Sequence, residues 1–234
     1  MLIYLDIETT GVEQSDKICS VSILNASSYQ YELVNEGKKI PSEASSIHHI
    51  TNEDIKDKLA FSKTSIYKFL EKNNDVENTL VVYNMTFIIE KLSSHGLTWK
   101  GAVVDTLRVT KHLIPECEFF SLQFLRYELK LYRNEKSLQN EYGIKDAMVA
   151  HNALSDVLVT KLLYDMLEEE SSLEVMQELS FKKVLVSKFS FGKYKGKYIE
   201  EICLNDNSYI QWLLKSATEL DEDMKYSLTY YLKG

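Results

Sequence analysis

The first apolar stretch, Leu2-Ile3-Tyr4-Leu5, is continuous and short, which predicts a buried strand. It runs into Asp6-Ile7-Glu8-Thr9-Thr10-Gly11, where alternation puts Asp6 and Glu8 on one face and Leu5 and Ile7 on the other. Ile18, Val21 and Ile23 within residues 17–26, and Tyr29, Tyr31 and Leu33 within residues 28–34, predict two more strands. Asn25-Ala26-Ser27-Ser28 supplies the turn between them, so the three strands form an antiparallel meander. Polar residues 35–46, with Pro41 among them, predict an irregular loop. A helix should start after Thr51 or Asn52 acting as cap, and another should cover residues 63–72 with Ile66, Phe69 and Leu70 inward. Strand then alternates with helix. Leu80-Val81-Val82-Tyr83 leads through Asn84 to a helix with Phe87 and Leu92 inward, and residues 102–105 lead to a helix over 106–114. Such repeats imply parallel strands with helices packed on the sheet. Leu122, Leu125 and Leu129 mark a core helix, and Leu154, Leu158 and Leu162 form one stripe of a long helix ending near Glu169.

With 234 residues and 44% hydrophobic content, the chain has enough apolar material for one full domain and a small appendage. Cys19, Cys117 and Cys203 are far apart and lack metal-ligand spacing, so they read as core thiols of a reducing compartment. No basic region precedes the opening apolar run, and that run is too short for a signal peptide or a membrane span. A cytoplasmic protein with no membrane partner is expected. A net charge of −8 argues against a general nucleic-acid coat protein, but not against a nuclease that holds its substrate through a metal and a local basic patch.

Two carboxylates at i and i+2 on a core strand repel each other, and a divalent cation between them would relieve that repulsion. The alternative is a strand end with two solvated acids. A second candidate is His151-Asn152-Ala153-Leu154-Ser155-Asp156, an H-x4-D pattern at the head of the long helix, for which helix capping is the competing reading. The pair His48-His49 reads as structural, because neighbours at i and i+1 cannot share a helix face. Beyond Leu179, Lys182, Lys183, Lys188, Lys193, Lys195 and Lys197 interleave with Phe181, Phe189, Phe191, Tyr194 and Tyr198. Lysines on phosphates beside aromatics under bases would suit single-strand binding, with Lys188, Lys193, Tyr194, Lys195 and Lys197 as the candidate contacts. A solvated hairpin with an apolar inner face is the other reading.

The octet from Tyr4 to Gly11 resembles the first motif of the DEDD superfamily of 3′→5′ exonucleases, typified by the proofreading epsilon subunit of bacterial DNA polymerase III. The His151…Asp156 pattern resembles the third motif of its DEDDh branch. The phrase FSFGKYKGKYIEEI looks like the C-terminal module of exodeoxyribonuclease X-like proteins. The resemblance implies a ribonuclease H-like α/β domain over residues 1–170, with the antiparallel meander joined to parallel strands and flanked by helices. A connecting helix and linker (171–186) and a small α+β module (187–234) would follow. It implies Mg²⁺ or Mn²⁺ as cofactor, two ions being usual, with Asp6 bridging them and Glu8 and Asp156 completing the tighter site. His151 would be the general base. Thr9, Thr10, Gly11, Asn84 and Phe87 would meet the terminal nucleotide of a single-stranded DNA 3′ end. One departure stands out. The family's His-Asn-x-x-Phe-Asp appears here as Tyr83-Asn84-Met85-Thr86-Phe87-Ile88, so an apolar side chain replaces one expected carboxylate. Glu90 is turned about 200° round the helix and is no substitute. Asp105, in a further family-like segment, reads as a helix cap. The expectation is an exonuclease weakened by Ile88. The alternative is a catalytically impaired binding or scaffold protein. Gln177-Glu178-Leu179-Ser180-Phe181 faintly resembles sliding-clamp peptides, which makes a polymerase or clamp a candidate partner.

Overall fold

The computed structural model describes residues 1–26, 28–216 and 220–233. Ser27 of the expected turn, and residues 217–219 and 234 of the expected C-terminal module, lie outside them. The chain divides into two units, Met1–Ser180 and Phe181–Gly234.

In the first unit β1 (Leu2–Thr9), β2 (Ile18–Leu24) and β3 (Tyr29–Leu33) form the antiparallel meander. β4 (Thr79–Val82) pairs parallel with β1, and β5 (Ala102–Asp105) pairs parallel with β4. The strand order is therefore β3-β2-β1-β4-β5. The central position of β1 follows from its sequence, because both of its faces carry residues that must be covered. Ile3, Leu5 and Ile7 belong to one apolar layer with Leu80 and Val82. Tyr4 belongs to the other, with Val81 and Val104. Asp6 and Glu8 share the face of Tyr4 by strand alternation.

Short helices follow β3. α1 (Ser42–His48) occupies part of the segment expected to be irregular. Pro41, at φ −65°, enters the helix without strain, and Ala44 is buried in a small cluster with Cys19, Ile40, Ile50 and Ile55. Tertiary burial thus overrides the weak helix propensity of a serine-rich stretch. α2 (Asn52–Ile55) starts with a capping box in which Thr51 and Asp54 exchange bonds, so Thr51 is the cap. α3 (Ser65–Lys72), capped by Thr64, and α4 (Met85–Ser94) supply Ile66, Leu70, Ile88 and Leu92 to the first layer.

α5 (Thr106–Leu113) follows β5, and α6 (Leu122–Glu128) occupies only the first half of the expected core helix. Lys130 breaks it at φ 58°, and a 3₁₀ turn at Leu131–Arg133 leads into α7 (Glu135–Tyr142). No apolar stripe announces α7, since Leu138 is its one buried aliphatic residue. α8 (Ala153–Glu170) covers the second face of the sheet and is buried along most of its length, with Val157, Leu158, Leu163 and Leu167 in the core. α9 (Leu173–Leu179) packs against β5 and α5.

The second unit contains α10 (Ile199–Asn205), α11 (Asn207–Ser216) and α12 (Glu222–Lys233) around Phe189, Ile199, Ile210, Leu213, Met224 and Leu228. The strand content expected of this module comes down, among the described residues, to one antiparallel bridge between Lys188 and Tyr198. No helix among the described residues is long and apolar enough to cross a membrane.

Candidate active site

Asp6 and Glu8 project from β1 toward α8, whose N-terminus is fixed by Asn152: the Asn152 Oδ1 accepts the N–H groups of Leu154 and Ser155. That cap places Asp156 in the first helical turn, facing the strand. One carboxylate oxygen each from Asp6, Glu8 and Asp156 lies within 4.8 Å of the other two, and this is the one such cluster among the described residues. Burial holds the Asp6 carboxyl well above the usual carboxylate range, reinforced by Glu8 and then Asp156. Burial and the neighbouring Asp156 push Glu8 up to about 8. Burial takes Asp156 to about 7, although the His151 backbone N–H, Arg126 and Gln123 pull it down. Three crowded acids of this kind resist ionisation together unless a cation joins them. The donors are all carboxylate oxygens, with no thiol or imidazole in the cluster, and such a set fits a hard divalent ion such as Mg²⁺ or Mn²⁺.

Asp156 is held from behind by a hydrogen-bond chain. Gln123 Nε2 donates to Asp156 Oδ1 at 2.7 Å, and Arg126 Nη1 donates to Gln123 Oε1 at 3.1 Å. Because the guanidinium only donates, Gln123 must turn its amide nitrogen to the carboxylate. Arg126 is itself locked in a buried two-pronged pair with Glu135 of α7, its Nη2 donating to Oε2 at 2.7 Å. Sequence reading missed all three residues. The only trace of them is that Gln123 and Arg126 are three apart on α6, a spacing shared by any pair on one helix face.

His151 occupies the left-handed region at φ 57°, uncommon for a residue with a Cβ, and its side chain is exposed. Its backbone N–H meets Asp156, while its imidazole stands outside the trio of acids. The hydroxyls of Thr9 and Thr10 are engaged internally. Thr9 Oγ1 donates to the Gly11 carbonyl at 2.6 Å, and Thr10 Oγ1 donates to Asp16 Oδ1 at 2.8 Å. Asp16 also accepts the Glu13 N–H and pairs with Lys38 at 2.7 Å, and this pairing lowers its pKa. The buried Lys91 of α4 donates to the carbonyls of Glu13 and Asp16, tying this loop to the helix, and its ammonium lies 5.4 Å from the Phe87 ring centroid. Sequence reading missed Asp16 and Lys91 as well.

Asn84 takes φ 68° because Asp105 captures the N–H groups of Asn84 and Met85, each at 3.0 Å. Asp105 also caps α5 through the Leu107 N–H, as its sequence position suggested. Ile88, 2% exposed, packs in the apolar layer that contains Ile7 and Leu92, so the position of the missing carboxylate is filled by core. His48 is buried, with Nδ1 accepting the Ile50 N–H and Nε2 3.8 Å from the Cys19 thiol, while His49 ends α1 in the left-handed region. Neither belongs to the metal-type cluster.

An exonuclease family model matches residues 3–164, and an exodeoxyribonuclease X-like C-terminal model matches residues 189–216. The chain belongs to the exonuclease family. Its DEDDh-type motifs and its C-terminal segment both have counterparts there. Exodeoxyribonuclease 10 of Escherichia coli (strain K12) is 24% identical over the full length of both chains. Among solved structures, exonuclease X in complex with 5′ overhanging duplex DNA superposes with a TM-score of 0.58 at 22% identity, covering 77% of this chain and 99% of that one. A zinc-bound complex of E. coli exonuclease I with single-stranded DNA gives 0.54 at 16% identity, covering 74% of this chain and 41% of that one. These likenesses establish the sheet as the ribonuclease H-like exonuclease fold.

Proposed function

We propose that this exonuclease-family protein is a divalent-metal-dependent 3′→5′ enzyme that hydrolyses phosphodiester bonds at nucleic-acid 3′ ends, with single-stranded DNA as its substrate. One observation carries the reading: Asp6 and Glu8, on the first strand, meet Asp156 of a late helix within 4.8 Å. The structural relatives bound to overhanging duplex and single-stranded DNA support the substrate class. Asp6, Glu8 and Asp156 would hold Mg²⁺ or Mn²⁺. When bound, the ion neutralises the charge that grows on the phosphodiester oxygens during attack. Gln123, backed by Arg126 and Glu135, keeps Asp156 oriented. His151, whose backbone N–H meets Asp156 and whose side chain is exposed, suits removal of a proton from the attacking water, because an imidazole changes charge near neutral pH. With the Thr9 and Thr10 hydroxyls engaged internally, we assign contact with the terminal nucleotide to the backbone of Thr9, Thr10 and Gly11, assisted by Asn84 and Phe87. The core role of Ile88 leaves the site one carboxylate short for a second ion, so we expect slow turnover. Gln177 donates to Thr79, and Leu179 packs against the main core, so we assign the clamp-like segment a structural role.

The test is digestion of single-stranded DNA carrying a label at either end, with Mg²⁺, Mn²⁺ or EDTA. Release of a 3′ label as the first product, dependent on the ion, is the expected outcome. The absence of a carboxylate at position 88 favours one second reading, a binding protein that holds ends without cutting them. Intact binding with no cleavage under either ion would establish that reading instead.

A further inference from the structure

The C-terminal unit differs from the rest of the chain in charge. Residues 181–234 hold nine lysines against seven acids, a net +2, so residues 1–180 carry the remaining −10. Three of the nine, Lys193, Lys195 and Lys197, lie on the loop between Phe189 and Tyr198, which holds no acid. This loop is rigidly built. The Phe189 N–H donates to the Lys197 carbonyl, the Gly196 N–H to the Phe189 carbonyl and the Lys197 N–H to the Tyr194 carbonyl. Gly192, at φ 69°, takes the left-handed conformation that side chains with a Cβ rarely adopt, with the Tyr209 hydroxyl 2.8 Å from where a Cβ would stand.

An aromatic row runs from this loop onto α11. The Tyr194 and Tyr209 rings are 5.0 Å apart edge-on, and Tyr209 is followed by Trp212 at 5.8 Å, tilted by 31°. Phe191 extends the row at its other end through Phe189, and its ring is T-shaped against Phe189. Phe189 is buried, whereas Trp212 is 55% exposed and Phe191 is 36% exposed. The five residues proposed from sequence separate into two groups. Lys193 is drawn by Asp206 to a position 4.6 Å from the Tyr194 ring centroid, and the Tyr194 hydroxyl donates to the same Asp206 carboxylate at 2.6 Å. Lys188 lies over Tyr198 at 4.7 Å. Those three side chains hold the loop together. The ammonium groups of Lys195 and Lys197 are exposed, with no ion pair among the described residues.

We propose that the C-terminal unit carries its own binding site for single-stranded nucleic acid, in which Trp212 and Phe191 stack bases while Lys195 and Lys197 meet phosphates. Flat rings open on one side and cations free of partners are what an unpaired strand requires, since every base has a π-face and every linkage a charge. A duplex, with its bases already stacked, has no use for Trp212. The site is independent of the nuclease reading, because it needs neither the acids nor a metal.

The experiment measures binding of the full chain to a 5′-fluorescein dT15 by anisotropy in EDTA, where metal-dependent cleavage is silent. An abasic strand of equal length and heparin serve as competitors. Trp212→Ala should weaken dT15 about tenfold while leaving the abasic strand unchanged, and Trp212→Phe should keep most of the affinity. Replacing Lys195 and Lys197 together by glutamine should lower the slope of log K against log salt by about 1.4, from about 0.7 per phosphate contact on a single strand. The proposal is overturned if Trp212→Ala and the double variant both bind as the parent does. It is equally overturned if the abasic strand or heparin competes as well as dT15, which would reveal a general polyanion surface. Loss of nuclease activity alone would have no bearing on this measurement.

Discussion

Arg126 settles which end of the Gln123 amide faces Asp156, and that single orientation gives an otherwise crowded acid a donor. Gln123→Met keeps the length of the side chain but removes this donor. Supporting bonds of this kind typically contribute about 10–100-fold to metal affinity. We expect Mn²⁺ binding, followed by calorimetry, to weaken at least about tenfold in Gln123→Met, with little change in melting temperature. Equal Mn²⁺ affinity in parent and variant would show that Asp156 is positioned by its helix alone. Neither residue type nor spacing marks Gln123 in the sequence. The acids were legible because their pairing on one strand face is costly without a ligand, whereas an amide on a helix surface is ordinary.

Among the elements, the turn from β1 into β2 connects the acids to the rest of the unit. Thr10, Asp16, Lys38 and Lys91 close it, and Gly11 makes the closure feasible at φ 156°. A Cβ at Gly11 would lie 2.5 Å from Asp16 Oδ2. Gly11→Ala must therefore push Asp16 from its partners, and we expect a loss of about 1–3 kcal/mol in urea unfolding, within the usual range for backbone effects at such positions. A variant as stable as the parent would show that the loop yields without cost. Strands and long helices were readable because burial repeats along them with a fixed period. α1 and α7 were not, since each buries only two or three residues and is held by contacts distant in sequence.

For the whole molecule, the acid cluster couples stability to pH and to cations. Glu8 near 8 and Asp156 near 7 mean that the folded, metal-free protein keeps protons that the unfolded chain releases at about 4 to 4.5. Stability without a cation should therefore fall as pH rises from about 4.5 to about 8, because the folded state binds more protons across that window. A divalent ion removes the repulsion, so millimolar Mg²⁺ or Mn²⁺ should raise the melting temperature clearly at pH 8 and little at pH 5. A cation effect independent of pH would place the ion elsewhere.

The sequence by itself determined the β1 motif, the meander, the strand–helix alternation, the long helix α8 and the absence of a carboxylate at position 88. Each is a local pattern, set by side-chain periodicity, turn chemistry or residue identity. Only the tertiary structure decided that Asp6, Glu8 and Asp156 converge, that Ile88 belongs to the core, and that Glu135, Arg126 and Gln123 form a chain ending at Asp156. It also divided the C-terminal lysines into those held by Asp206 or Tyr198 and those open to solvent. These outcomes depend on contacts between segments far apart in the chain, and a contact of that kind leaves no period for a single sequence to display.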